Sequence, residues 1–358
     1  MTVYPHYELS RVQNEHEAAE LEQLLKENPA DLKSRLELTI HYLRDSNDRA
    51  LPHVIWLIEN EPEIDFKKYN VWVGAQFIEP VEAAWNKAIA KAPENLTILR
   101  NAISSCSLLS KGNDKKWLER GYKIDPSNEE WPNELSFKYY LDTLDKPLEE
   151  GKKSAFDSVK LGKEAIELYR RAPKEGYFQN CLGQTVDRLA EICFKYGWLD
   201  DAQYMGDYLI EHGAEQQKAG TAVKLRYGVS EVHLGHSILG RVSLRRNNLT
   251  ETDSHMQAMP LMRDLEFRID LQLAKDLLNH SHINLVCAYL DRCIEHFNDM
   301  IDHLVPDDPF YENIIRTYDL PIDGPDYIPR NLRVHIDRVQ NWKDSINAGN
   351  DVQLPDNI

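Results

Sequence analysis

The sequence predicts an all-α solenoid: about six or seven helical hairpins piled side by side in a right-handed superhelix, with a C-terminal capping helix. Three observations predict it. Apolar or small residues recur at helical spacing, a proline follows each such run at a fixed distance, and those prolines are themselves periodic along the chain.

The segment EPVEAAWNKAIAKAPEN shows the spacing, with Val81, then Trp85 at +4, Ala88 at +7 and Pro93 at +12. The first three share one helix face, and the proline, lacking an N–H, cannot prolong the helix. Ala50, Val54, Leu57 and Pro62 repeat the measure, as do Leu161, Ala165, Leu168 and Pro173. Asp114, Leu118, Gly121 and Pro126, and Glu17, Leu21, Leu24 and Pro29, repeat it with a charged first position. Pro29, Pro62, Pro93 and Pro126 follow at intervals of 33, 31 and 33 residues, and Pro173 lies 47 further on. A period near 34 with two helices per unit is that of the tetratricopeptide repeat, whose hairpins bury their apolar faces only by stacking.

A first helix should precede each of these second helices. Leu32, Leu36, Ile40 and Leu43 mark one; Leu96, Leu99, Ala102, Ile103 and Cys106 another; Trp131, Leu135 and Tyr139 a third. Further on, Leu189-Ala190, Cys193, Gly197, Ala202 and Leu209 occupy the repeat's signature positions, and Leu239-Gly240, Ser243, Asn247, Thr252 and Met256 do so again. The expected boundaries are a lead-in over 1–15, repeats over 16–304, a loop over 305–331 and a capping helix with tail over 332–358. The loop carries Pro306, Pro309, Pro321, Pro325 and Pro329. Such a segment either packs over the superhelix or stays on the surface.

Motif order resembles that of a group of bacterial tetratricopeptide-like proteins, through AAWNKAIAKAPENLTILRNA, ERGYKIDPSNEEW, HLGHSILGRVSLRR, DLQLAKDLLNHSHINLVCAYLDRCIEHF and VQNWKDSINAGNDVQLPDNI. The resemblance implies the fold and brings no catalytic residues.

Composition narrows the function. The chain has 42 basic and 59 acidic residues, a formal net charge of −17. Its closest approach to a basic patch, between Lys152 and Lys174, is interleaved with acids, so nucleic acid is not an expected partner. Five cysteines with no CxxC pair fit reduced thiols, and MTVYPHYELSRVQNEHEAAE has neither a basic flank nor an apolar stretch, so a signal peptide is not expected and a cytoplasmic, membrane-free protein is.

Chemistry is sparse. GxSxG, P-loop, GxGxxG and HExxH motifs are missing, so an enzyme is not indicated and no cofactor is expected. Cys293, His296, Met300 and His303 form one helical stripe, a weak metal candidate whose plainer reading is a packed face. His233 and His236 share a face, with Glu231 turned from it, and one histidine could look into the concave groove. Asp187, Arg188, Glu191 and Lys195 should project from one first helix and Arg241 and Arg245 from a later one. The two arginines repel at i,i+4, so an acid should stand near. It is either Glu191, in the equivalent place one repeat earlier, or a carboxylate on a bound peptide. The expected function is a scaffold or adaptor holding a partner peptide or helix in the groove. A ligand- or peptide-sensing regulator, and an enzyme subunit using the histidines and cysteine, are the alternatives.

Overall fold

The computed structural model describes residues 12, 14–44, 48–69, 71, 73–106, 113–144, 146–173, 177–218, 222–261, 271–303 and 327–355. These contain helices and no strand. The chain divides into two compact units, Met1–Phe178 and Gln179–Ile358, a division that the repeat spacing does not announce.

The first unit holds α1 (Glu15–Glu27), α2 (Leu32–Arg44), α3 (Ala50–Asn60), α4 (Ile78–Lys91), α5 (Leu96–Cys106), α6 (Asn113–Ile124), α7 (Glu130–Leu144) and α8 (Leu148–Arg171). Each packs on the next in chain order, the arrangement of a tetratricopeptide-like helical repeat. Every repeat proline stands two residues past the last helical residue of α1, α3, α4, α6 or α8. The residue before it turns its N–H back to the carbonyl at the +7 position: Asn28 to Leu24, Glu61 to Leu57, Ala92 to Ala88, Asp125 to Gly121 and Ala172 to Leu168. The spacing therefore records an orphan carbonyl satisfied by the cap, followed by a residue that cannot donate.

The residues just past the proline decide whether another helix starts. The turn closes on Asp31, Asn95 or Asn128, whose N–H groups bond back to Asn28, Ala92 and Asp125. Asn95 then accepts from Thr97 and Ile98 at 3.0 and 3.3 Å, and Asn128 from Glu130 at 3.0 Å, so each caps a helix. After Pro62 the same place holds Ile64, which has no capping atom. The first helix expected before α4 is accordingly missing. Residues 62–63 and 66–69 form turns instead, and a short 3₁₀ helix, Ala75–Phe77, precedes α4. Ile64, Phe66, Val71 and Val73 fill the core in its stead. Asn101 of α5 donates to the carbonyls of Pro62 and Ile64 at 2.9 and 2.6 Å, and Phe66 sets its ring edge against Trp85 at 5.0 Å.

Two charged first positions resolve differently. Asp114 is buried and meets Lys138 of α7 at 2.5 Å. In α1 the buried stripe runs through Ala18 and Leu25, one residue from the expected one, and Leu24 is exposed.

The second unit holds α9 (Tyr177–Tyr196, starting at the junction), α10 (Leu199–Lys218), α11 (Ala222–Arg245), α12 (Leu249–Ala258), α13 (Gln272–Asn279), α14 (Ile283–His303) and α15 (Tyr327–Asn347). The degenerate repeat signature is real in three dimensions. Leu189, Ala190, Cys193, Ala202 and Leu209 are fully buried. Gly197 ends α9 at φ 73°, and Asn247, in the equivalent place after α11, takes φ 59°, a left-handed conformation that asparagine tolerates. The last helix, α15, begins at Tyr327 and takes in Pro329, so it starts inside the stretch 305–331 expected as a loop, and the segment after it returns Leu354 to the core of α13 and α14. Residues 304–326, most of the proline-rich stretch, and the lead-in before Val12 lie outside the described residues. Among the described helices none is long and apolar enough to cross a membrane.

The tightest helix contact is the α10–α11 hairpin. A Cβ on Gly213 would stand 2.5 Å from the Gly228 carbonyl, and one on Gly228 the same distance from that of Gly213. Gly206 and Gly235 repeat the approach one heptad away. Gly228→Ala should therefore lower the stability of the second unit by about 1–3 kcal/mol, read as an earlier midpoint in urea; an unchanged midpoint would show that the hairpin parts freely.

Candidate functional site

The expected site residues divide into a line of charge along the first helices of the second unit and a histidine group on α11. In the charge line, Arg241 lies on the middle helix of three. Its Nε donates to Asp276 of α13 at 2.9 Å, Nη2 reaches Glu191 of α9 at 3.4 Å, and Nη1 makes a closer bond to the other Glu191 oxygen. The guanidinium carbon stands 4.0 Å from the Phe194 ring centroid. Arg241 is 5% exposed. Burial opposes its charge, but the bonds and charges of Glu191 and Asp276 outweigh that and hold its pKa above the ordinary value.

The like-charge conflict at i,i+4 is thus resolved inside the molecule. Glu191, the partner given by the repeat spacing, is one half of the answer; Asp276 is the half that the sequence did not disclose. Arg245 is exposed, 5.7 Å from the same Phe194 ring. Lys195 is exposed beside Tyr196, Asp187 is exposed, and Arg188 is half-buried. Glu191, Phe194, Arg241, Arg245 and Asp276 are therefore brought together.

The histidines are not part of that group. His233 is 1% exposed, and its Nδ1–H donates to the Pro260 carbonyl at 2.9 Å. It faces the end of α12 and not an open groove. His236 sets Nδ1 3.1 Å from Nδ1 of His255 on α12, so one ring donates and the other accepts. Burial pushes His236 down to about 4, with His255 and His233 adding to the shift. Burial also lowers His255. Glu231 receives the Nδ1–H of His212 at 2.8 Å, both side chains almost wholly buried, while Gln216 donates to the other ring nitrogen at 3.2 Å.

Where it is described, the stripe with the metal candidates lies largely on a packed face. Cys293 and Met300 sit in the α13–α15 core, and burial drives the Cys293 thiol up to about 12. A ligand thiolate needs the opposite. His296 is half-buried beside Phe297, and the side chain of His303 lies outside the described residues. Among those described, no three His, Cys, Asp or Glu side chains could hold one ion.

The first unit contains a denser ionisable network, which no sequence expectation covers. Arg35 is buried with its guanidinium 4.0 Å from the Trp56 ring centroid, donating to the Pro29 carbonyl at 2.7 Å and lying 3.4 Å from His53. Glu22 of α1 gathers Tyr42 at 3.2 Å, His53 at 3.4 Å and Arg49 at 3.6 Å. Its members are spread over α1 to α3 and share no short motif, so no sequence signal could have found it.

Removing the buried cation should separate the two arginines of α11. Arg241→Ala leaves Asp276 without its partner and should cost about 3 kcal/mol, whereas Arg245→Ala, at the surface, should stay within about 0.5 kcal/mol. Urea denaturation of the two variants checks this, and equal effects would deny Arg241 its bracing role.

No protein-family description and no curated protein matches the chain. Solved structures do, among them a human IFIT1 dimer with m7Gppp-AAAA, at 13% identity and a TM-score of 0.21, and a human IFIT1 dimer with PPP-AAAA, at 12% and 0.22. Each alignment covers 94% of this chain and 86% of the other. Likeness at that level transfers neither a ligand nor a site. It does correct one expectation: nucleic acid was set aside on net charge, yet both matched proteins are seen with m7Gppp-AAAA or PPP-AAAA. The total charge of a long chain is no ground for excluding such a partner from one of its faces.

Proposed function

We propose that the chain is a protein-interaction scaffold of the cytoplasm, in which the faces of α9 and α11 receive a carboxylate-bearing segment of a partner polypeptide. The supporting observation is the bracket around Arg241. It fixes three successive first helices at one level while Arg245 and Lys195 remain exposed beside it. Rigidly placed cations are the groups that charge-assisted recognition of carboxylates uses, and stacked repeats offer extended surface for it. The resemblance to bacterial tetratricopeptide-like proteins agrees with a binding role, though fold alone never specifies one.

Recovery of partners from native lysate on the immobilised full-length chain, compared with Lys195→Glu/Arg245→Glu, tests the reading. One polypeptide should be retained stoichiometrically by the original chain and fall at least about tenfold on the double variant, with an unchanged melting curve. Retention by both chains, or capture of a capped or 5′-triphosphate oligonucleotide and no polypeptide, would overturn it.

A further inference from the structure

Helix α12 is short, and only Thr252 and Met256 of its residues are buried, with Met259 just beyond its end. Its hold on the second unit is to a large degree polar. The His236–His255 pair joins its last turn to α11, and His233 of α11 takes the Pro260 carbonyl one turn away. From α14, Arg292 donates to the Met256 and Met259 carbonyls at 2.7 and 3.0 Å, capping the helix end. We infer that α12 is an acid-released element, docked on α11 while His236 and His255 share one hydrogen bond and undocked once both rings carry a proton.

The chemistry of the contact requires this. An Nδ1–H···Nδ1 bond needs one ring with a free lone pair, and two imidazolium rings at 3.1 Å have only donors and like charges to offer each other. The groups facing the pair are His233 on α11, Glu251 on α12 itself and Asp207 on α10. The two carboxylates favour charge on His255, while His233 opposes it on His236.

Linkage gives the sign. His236 is held at about 4 in the docked state, mainly by burial, against an ordinary 6.5. The released state therefore binds more protons, and docking is fully stable above the ordinary value and weakens as pH falls through the window between the two. Partial exposure of the ring damps the effect, leaving about a tenfold rise in the open population between pH 7.5 and 5. His pairs of this kind act as switches because small environmental changes move them across this range.

Hydrogen–deuterium exchange of the full chain at both pH values, corrected for intrinsic rates, reads the opening directly. Amides of 249–261 should gain about tenfold in opening while those of α10 do not, and His236→Gln, which removes the ring whose shift sets the window and leaves His255 a neutral partner, should abolish most of the gain. A uniform response along α10 to α12, or the same gain in the variant, would overturn the inference. Should that variant fail to fold, the imidazole titration of His236 in the unaltered chain decides: a midpoint near 6.5 defeats the inference, and one well below supports it.

Discussion

A helix of eleven to fifteen residues, the length of α3 to α7, gains too little from its own hydrogen bonds to persist in water. Each must cover its apolar stripe with the next helix along the chain, and close covering demands small or well-fitted side chains at the crossing points. Ala50, Ala88 and Ala165 supply them in the first unit, and Trp131 lies where any Cβ on Gly121 would stand, 2.7 Å from its ring. In the second unit the demand is met at its limit, by glycine facing glycine across α10 and α11. The stops matter as much as the stripes, because a helix that ran on past its cap would carry the next one out of reach of the flank it has to cover.

Legibility tracked how local each determinant was. The stripe, the cap and the proline all lie within thirteen residues, so the sequence spelled out the second helices and their ends. The first helices were legible where Asp31, Asn95 or Asn128 closed the turn, and misread where Ile64 did, since only the absence of one capping oxygen distinguishes that repeat. In the same way Asn247 could be placed by its correspondence with Gly197. Determinants spread over several elements were hidden: Asp276 is separated by 35 residues from the Arg241 that it braces, and Glu22, Arg35 and His53 come from three helices. The α1 stripe was read one residue off because that helix packs chiefly against α2, and spacing alone does not choose between Leu24 and Leu25.

Buried charge supplies what apolar packing cannot, a choice among neighbours. Leucine against leucine tolerates sliding by a turn, whereas Lys138 on Asp114, Asn101 on two carbonyls, and Arg241 between two carboxylates each have one register in which they are satisfied. An ion pair of this sort adds little net stability against an apolar substitute. Its effect is to make the wrong registers costly, because a displaced Arg241 would leave itself and Asp276 both desolvated and unmatched.

The same reasoning separates α12 from the rest of its unit. Apolar contact is indifferent to pH, and α10, α11 and α14 are held mostly by it. A helix with two buried residues of its own has to borrow its hold from polar groups, and among polar groups imidazole alone changes from acceptor to donor within the range that cells span. Had leucine stood at 236 and 255, α12 would share the indifference of its neighbours. With histidine at both, its docking becomes a part of the fold that proton concentration can address, and the carboxylates Glu251 and Asp207 set how far that address is shifted without removing it.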